Sequence, residues 1–178
     1  NMIEKDVGID EEEKIKKILD EINIEMRSNG EIFLNQKNVT KRIRENDVNN
    51  FVSPVSTIQI VRDKLLEIQR KIAKEKDVIM EGRDIGTVVF PNADVKIYLD
   101  ATPEERARRR VLQNKEKGIE TSYEEVLENI KDRDKRDSNR KVAPLKKAED
   151  AIYIDSSNMT IDEVVNKVIT LIKEKYNK

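Results

Sequence analysis

The chain has 178 residues, a formal net charge of −1, 40% charged residues, and no cysteine, histidine or tryptophan. The missing cysteine excludes disulfides and thiolate chemistry, and the missing histidine removes the usual general base and the commonest metal ligand. A net charge near zero argues against a broad basic surface for nucleic acid, and no apolar run approaches the ~20 residues that span a bilayer. We therefore expect a cytoplasmic protein whose chemistry uses Arg, Lys, Asp, Glu or a bound metal.

The first 50 residues predict a small unit of one helix and a β-hairpin. Glu11–Asp20 has the apolar spacing of a helix, whereas residues 22–26 and 32–34 alternate with period two. Ser28-Asn29-Gly30 between them is a hairpin signal, and residues 37–40 fit a third short strand. Such a unit is too small to be stable alone, and an ordinary α+β decoration of a larger domain is the alternative interpretation.

From residue 56 onward, predicted strands and helices alternate. Ser56 or Thr57 is expected to cap a long helix, and Thr102-Pro103-Glu104-Glu105 forms a capping box with proline at the first helical position. Alternating strands and helices predict a parallel sheet flanked by helices, which is an α/β fold. The predicted elements are a helix to Lys74, strands 77–80 and 95–99, helices 103–117 and 123–136, strand 151–155 and a final helix capped by Thr160.

The turn Glu81-Gly82-Arg83-Asp84-Ile85-Gly86 follows a predicted strand and places a guanidinium beside a carboxylate. Open α/β sheets bind ligands at the ends of their strands. Arg83 can bind an anion through two donors, and Asp84 can accept hydrogen bonds from an amine or a hydroxyl. The two glycines permit a tight backbone and positive φ. A surface Arg-Asp turn without function is the alternative.

Two sets of arginines lie on shared helix faces, at spacings of i, i+3, i+4 and of i, i+3, i+7. Guanidinium groups stabilise the spread negative charge of phosphoryl transfer. Solvated faces paired with carboxylates such as Asp134 and Asp137 are the alternative, and the spacing alone does not decide between them. The sets are Arg106, Arg109 and Arg110, and Arg133, Arg136 and Arg140.

Residues 81–91 resemble the signature of the bacterial cytidylate kinases, a family of nucleoside monophosphate kinases. The likeness continues through residues 95–101, 104–110, 133–140 and 142–145, and it covers most of the chain from about Val39. The resemblance implies an α/β fold of the P-loop kinase type, a parallel sheet flanked by helices. It further implies a small α+β acceptor-nucleotide insert at 1–55, a kinase core at 56–178 and a helical lid at about 106–136.

The resemblance implies ATP-dependent phosphorylation of CMP and dCMP to CDP and dCDP, with Mg²⁺, by a monomer that binds no nucleic acid or membrane. Arg83 would hold the acceptor phosphate, and Asp137 with Arg133 the ribose hydroxyls. Arg109 and Arg110, together with Arg133 as a third catalytic arginine, would meet the transferring phosphates. The residues that would contact cytosine are Ser53, Arg62, Asp84 and Arg140. No carboxylate is assigned to Mg²⁺.

One family motif is not found. Kinases of this kind carry a Gly-x-x-x-x-Gly-Lys-Ser/Thr loop for the donor phosphates, and the five glycines of this chain do not form it. We expect that loop, with its strand and helix, to lie upstream of Asn1, so its ATP-binding residues are unknown. The alternatives are a fragment that binds a pyrimidine monophosphate without catalysis and a helical interaction module with solvated charged faces.

Overall fold

The structure is a computed structural model that describes residues 1–27, 29–75 and 77–177. The chain divides into two compact units, Asn1–Ile79 and Met80–Lys178. The described residues form six α-helices and five β-strands. In chain order they are α1 (Glu12–Asp20), β1 (Ile24–Met26), β2 (Ile32–Leu34), β3 (Lys37–Asn38), α2 (Asn46–Val55), α3 (Gln59–Glu75), β4 (Ile97–Asp100), α4 (Pro103–Glu116), α5 (Tyr123–Asn139), β5 (Ile152–Asp155) and α6 (Ile161–Tyr176).

The core of the first unit forms where α1 meets α3. Ile15, Ile18 and Leu19 recur on one face of α1 and are buried with Val7 and with Val61 of α3. Apolar residues at this spacing must pack against a neighbour, because the opposite face of the helix carries only charged residues. The predicted helix at 11–20 is thus confirmed.

The predicted hairpin and third strand are confirmed as an antiparallel sheet in the order β1-β2-β3. Its register pairs Ile24 with Leu34 and Met26 with Ile32. Asn35 and Gln36, between β2 and β3, have φ of 47° and 68°, the two positive values that a type I′ turn needs. In the predicted turn between β1 and β2, Ser28 lies outside the described residues.

Sequence analysis did not predict α2. Its signal was present, because Val48, Phe51, Val52 and Val55 recur at i, i+3, i+4 and i+7. The hydroxyls of Ser56 and Thr57 donate to the carbonyls of Ser53 and Pro54, at 2.7 and 2.8 Å. These two predicted caps of α3 therefore close the end of α2.

The second unit contains a parallel pair of strands. β4 and β5 run in register from Ile97 opposite Ile152 to Asp100 opposite Asp155, as the alternation of elements predicts. Ile154 at its centre is completely buried, and Tyr98 and Tyr153 stack with ring centroids 6.1 Å apart. Parallel pairing and the surrounding helices confirm the α/β fold class.

The prediction of a strand at residues 77–80 is wrong. These residues are described without strand structure, and Ile79 is 98% exposed. A strand is held by hydrogen bonds to a neighbour, and no strand among the described residues pairs with this segment. Its apolar composition suits a buried strand, but composition alone does not supply that neighbour.

Side-chain caps begin the three helices of the second unit. The side chains of Thr102, Ser122 and Thr160 each accept a hydrogen bond from the amide three residues later, which satisfies a backbone donor at the start of α4, α5 and α6. Gly118 follows α4 with φ of 71°, where a side chain would be strained. None of the described helices combines the length and the apolar character needed to cross a membrane.

Candidate active site

The turn at residues 81–90 contains one turn of π-helix, Ile85–Val89. The amide of Val89 donates to the carbonyl of Asp84 at 3.2 Å, and that of Phe90 to the carbonyl of Ile85 at 2.7 Å. π-Helical turns are rare and occur often at functional sites. Contrary to expectation, neither Gly82 nor Gly86 has positive φ. Space is tighter at Gly82, where a Cβ would lie 2.9 Å from the Ile85 side chain, than at Gly86, where it would lie 3.3 Å from the Lys96 side chain.

Asp137, on α5, is a buried carboxylate between two arginines. Its Oδ2 lies 3.0 Å from Nε of Arg83 and 3.7 Å from Nε of Arg133, one helical turn away. The side chain of Asp137 is 8% exposed, but those of Arg83 and Arg133 are 37% and 45% exposed. Among the described residues Oδ2 accepts no hydrogen bond, so these contacts are ionic and poorly aligned.

Positive charge exceeds negative charge around Asp137. Burial, followed by repulsion from Arg83, lowers the pKa of Arg133 below its ordinary value, and Arg110 adds to the repulsion while Asp137 opposes it. Guanidinium groups stay protonated in proteins, so the lowered pKa reports burial of the charged group first and crowding of like charges second. Arg83 and Arg133 share the Asp137 carboxylate and Arg110 repels Arg133, so this group of charges attracts an anion. We call Arg83, Arg110, Arg133 and Asp137 the anion cluster.

Asp84 and Arg140 form a second nearly buried pair. Oδ1 of Asp84 lies 3.5 Å from Nη2 of Arg140, with the two side chains 12% and 11% exposed. The segment after α5 folds back to hold this arginine: Nε of Arg140 donates to the carbonyl of Ala143 at 2.5 Å. The amide of Leu145 donates to the carbonyl of Asp137 at 2.8 Å. This segment therefore links the second pair to the anion cluster.

Arg106 joins α4 to α5. Its guanidinium binds both carboxylate oxygens of Asp134, at 3.1 and 2.6 Å, and Nε donates to the carbonyl of Ala101 at 3.0 Å. The hydrogen bonds to Asp134 are the main cause of a raised pKa at Arg106. Arg106 is therefore paired with a carboxylate, as the alternative interpretation of the arginine faces predicts.

Arg109 joins α4 to the turn that follows β5. Its Nε donates to Glu105 at 2.9 Å, and Nη2 donates to the carbonyl of Ser156 at 2.6 Å. Ser156 is itself buried, and both its amide and its hydroxyl donate to the carbonyl of Asp100. Ser156 was not singled out from the sequence, although a serine directly after a strand is a signal for such a turn. The predicted contact of Arg109 with phosphate stays a prediction.

Ser53 and Arg62 lie in the first unit. The carbonyl of Ser53 accepts the hydroxyl of Ser56, and Nη1 of Arg62 donates to the carbonyl of Ser56 at 3.3 Å. Both residues thus surround the junction of α2 and α3. Their predicted contacts with cytosine stay predictions, as do the boundaries predicted for the insert, the core and the lid.

The described residues contain no group of three or more Asp, Glu, His or Cys side chains that could hold a metal ion. Mg²⁺ in kinase sites is bound largely by substrate phosphates and water, with one or two carboxylates. The side chains present therefore do not define a magnesium site by themselves, and no ligand is assigned to the ion.

A family model described as cytidylate kinase matches residues 1–174 of the chain. A cytidylate kinase of Fusobacterium nucleatum is 50% identical over 165 residues, which is 93% of this chain and 75% of that protein. A cytidylate kinase of Caldicellulosiruptor saccharolyticus is 47% identical over 173 residues, 96% of this chain and 76% of the relative. One of Bacillus cytotoxicus is 42% identical over 179 residues, covering 99% and 80%. The match and the parallel sheet flanked by helices agree, and the chain belongs to the cytidylate kinase family of nucleoside monophosphate kinases.

Proposed function

We propose that the protein phosphorylates CMP and dCMP, with ATP as donor, to give CDP and dCDP. The observation that carries the proposal is the anion cluster, in which Arg83 and Arg133 share the buried carboxylate of Asp137 and Arg110 repels the charge of Arg133. This arrangement suits phosphoryl transfer, which needs little covalent chemistry from the protein and depends on positioning and charge stabilisation. A chain without histidine or cysteine can perform such a reaction.

In this proposal the anion cluster binds the phosphate and the sugar of the acceptor. Arg83 donates two hydrogen bonds to the phosphate, because its planar fork matches two phosphate oxygens. Asp137 Oδ2, which accepts no hydrogen bond among the described residues, accepts one from a ribose hydroxyl. Arg133, beside both groups, supports the sugar and adds positive charge near the phosphate.

The pair of Asp84 and Arg140 recognises cytosine. Asp84 accepts a hydrogen bond from the exocyclic amine, and Arg140 donates to the ring nitrogen or carbonyl. Uracil has a carbonyl in place of that amine, so its oxygen would face the carboxylate and be repelled by it. Ser53 and Arg62 are proposed to add contacts to the base on the family resemblance alone.

The transfer step moves the γ-phosphoryl group of ATP to a phosphate oxygen of the acceptor and releases ADP. Arg110 and Arg133 stabilise the charge on the equatorial oxygens, with Arg109 as a third proposed contact. We propose that Mg²⁺ accompanies ATP and neutralises charge on its phosphates. The proposed insert at 1–55 and lid at about 106–136 would exclude water during the step.

Thermal unfolding with added nucleotides tests the acceptor assignment. We expect CMP and dCMP to raise the melting temperature more than UMP or AMP, and Asp84→Asn to abolish the preference for CMP over UMP. Asp94→Asn, which removes the same charge at an exposed position of the same unit, serves as the control. Equal shifts with CMP and UMP in the unaltered protein would contradict the proposed recognition of cytosine.

A coupled assay of ADP release tests catalysis separately from binding. The sequence holds no Gly-x-x-x-x-Gly-Lys-Ser/Thr loop, the motif that cradles donor phosphates in other kinases of this type. Selective binding of CMP without ADP release would support the alternative of a binding fragment. Release of ADP that depends on CMP would establish the kinase. A protein that neither binds CMP nor releases ADP would contradict both the kinase and the binding fragment.

A further inference from the structure

The carboxylate of Asp137 occupies the place next to Arg83 that an incoming anion would take. Oδ2 lies 3.0 Å from Nε of Arg83, and its side chain is more than nine-tenths buried. A carboxylate and a phosphate compete for the same guanidinium donors. Because Asp137 is tethered on α5, it is present at Arg83 at every moment, whereas free phosphate must arrive from solution.

This ion pair is not built like the structural pairs of the same unit. Arg106 and Asp134 face each other with two hydrogen bonds, at 3.1 and 2.6 Å. Oδ2 of Asp137 accepts no hydrogen bond among the described residues, although it is buried and close to two arginines. A buried carboxylate oxygen without a hydrogen bond is under-satisfied, so a ligand donor at that point would be stabilised.

We infer that Asp137 is a specificity-determining residue that screens Arg83 from inorganic phosphate and releases it to a phosphate carried by a nucleoside. A bare phosphate must displace the buried carboxylate from Arg83, and the carboxylate then keeps only its more distant ionic contact with Arg133, at 3.7 Å. A nucleoside phosphate brings hydroxyls that hydrogen-bond to Oδ2 while its phosphate binds Arg83. The inference rests on the proposed function and adds to it discrimination against free phosphate, which resembles the reacting end of the acceptor.

Calorimetry on the full chain with inorganic phosphate and with CMP tests the inference. Asp137→Asn removes the competing charge with little change of shape, so we expect phosphate to bind about tenfold more tightly. The affinity for CMP should rise by less than the affinity for phosphate, or fall, so that the preference for CMP over phosphate decreases. Asp132→Asn, which removes the same charge at an exposed position of α5, should leave both affinities nearly unchanged. Unchanged or weaker phosphate binding to a folded Asp137→Asn protein would overturn the inference.

A second measurement needs no variant. If a nucleoside hydroxyl releases Arg83 from Asp137, saturating cytidine should tighten the binding of inorganic phosphate to the unaltered protein. Phosphate should then tighten the binding of cytidine by the same factor. Dideoxycytidine, which lacks the 2′ and 3′ hydroxyls, should give no such gain. Independent or competing binding of cytidine and phosphate would contradict the role of Asp137. Failure of the proposed function is a different result, since CMP itself would then fail to bind.

Discussion

Two groups of arginines in the second unit have opposite hydrogen-bonding states. The donors of Arg106 and Arg109 reach carboxylate, carbonyl or hydroxyl oxygens of Asp134, Glu105 and Ser156 at 2.6 to 3.3 Å. Arg83 and Arg133, in contrast, share the one carboxylate of Asp137 through ionic contacts. The first group holds α4 in place, and we propose that the second keeps its charge available to a ligand.

The difference predicts that the partners of an arginine separate structural from binding residues better than helix position does. Arg109 and Arg110 are neighbours in sequence and were predicted together as catalytic. In the structure Arg109 contacts the turn after β5, whereas Arg110 repels the charged Arg133 and helps to lower its pKa. A guanidinium satisfied by protein oxygens would lose those hydrogen bonds on binding phosphate.

The largest effect on stability is expected from Arg106→Met. It leaves Asp134 without its bidentate partner in a partly buried position, and we expect the free energy of unfolding to fall by about 2–3 kcal/mol. Arg108→Met is the matched control, because Arg108 is 70% exposed and pairs only with Glu105 among the described residues. Its loss should cost less than about 0.5 kcal/mol in urea unfolding. Equal losses would show that the bidentate contact of Arg106 stabilises the fold no more than an exposed ion pair does.

Arg83→Lys should act on binding and leave the fold intact. Lysine keeps the charge but cannot form the planar two-donor contact, so we expect CMP affinity to fall by about 2 kcal/mol. The melting temperature without ligand should change little, because the ion pair to Asp137 lacks aligned hydrogen bonds. Calorimetry and a thermal melt on the same preparation measure both. A stability loss with unchanged CMP affinity would place Arg83 in the structural group.

Sequence analysis predicted much of the fold because the signals were local. Helical periodicity and capping residues are properties of short segments, so α1, α4, α5, α6 and the parallel pair of strands were predicted correctly. The strand at 77–80 failed because a strand requires a partner, which no local pattern supplies. The helix α2 was missed because its asparagines and Pro54 obscured a clear apolar spacing.

Five of the site residues named from the sequence lie together in the structure, but their pairing was not predicted. Arg83, Asp84, Arg133, Asp137 and Arg140 were all named from the sequence, and the structure brings them together in one unit. Which carboxylate faces which arginine depends on the path of the chain after α5, where Ala143 has φ of 48°. That conformation is uncommon for alanine and depends on the contacts of the folded chain.

Arg109→Gln should loosen the turn after β5 without weakening the acceptor site. Loss of its bond to the Ser156 carbonyl should lower the free energy of unfolding by about 1–2 kcal/mol. Hydrogen exchange should accelerate at the amide of Met159, which donates to the carbonyl of Ser156. CMP affinity should stay within about twofold of the unaltered protein. A large loss of CMP affinity would move Arg109 into the binding group.

The smallest effect is expected at the start of α6, a region that belongs to neither group. Thr160 and Glu163 form a reciprocal capping box, and Thr160→Ala should lower the free energy of unfolding by about 1 kcal/mol. The Thr160 amide, and then its hydroxyl, hydrogen-bond the Glu163 carboxylate and lower the pKa of that group.

A lowered pKa means that the native state favours the charged carboxylate, so its stabilising contribution is complete above the ordinary glutamate pKa of 4.5. The contribution is lost as the pH falls below 4.5 and through the lower native value. We therefore expect Glu163→Gln to be less stable than the unaltered protein at pH 7, with the difference shrinking at pH 3. Urea unfolding at the two pH values measures it, with Glu174→Gln, in the exposed last turn of α6, as the control. A difference that stays constant or grows on acidification would show that the capping box does not depend on the charge of Glu163.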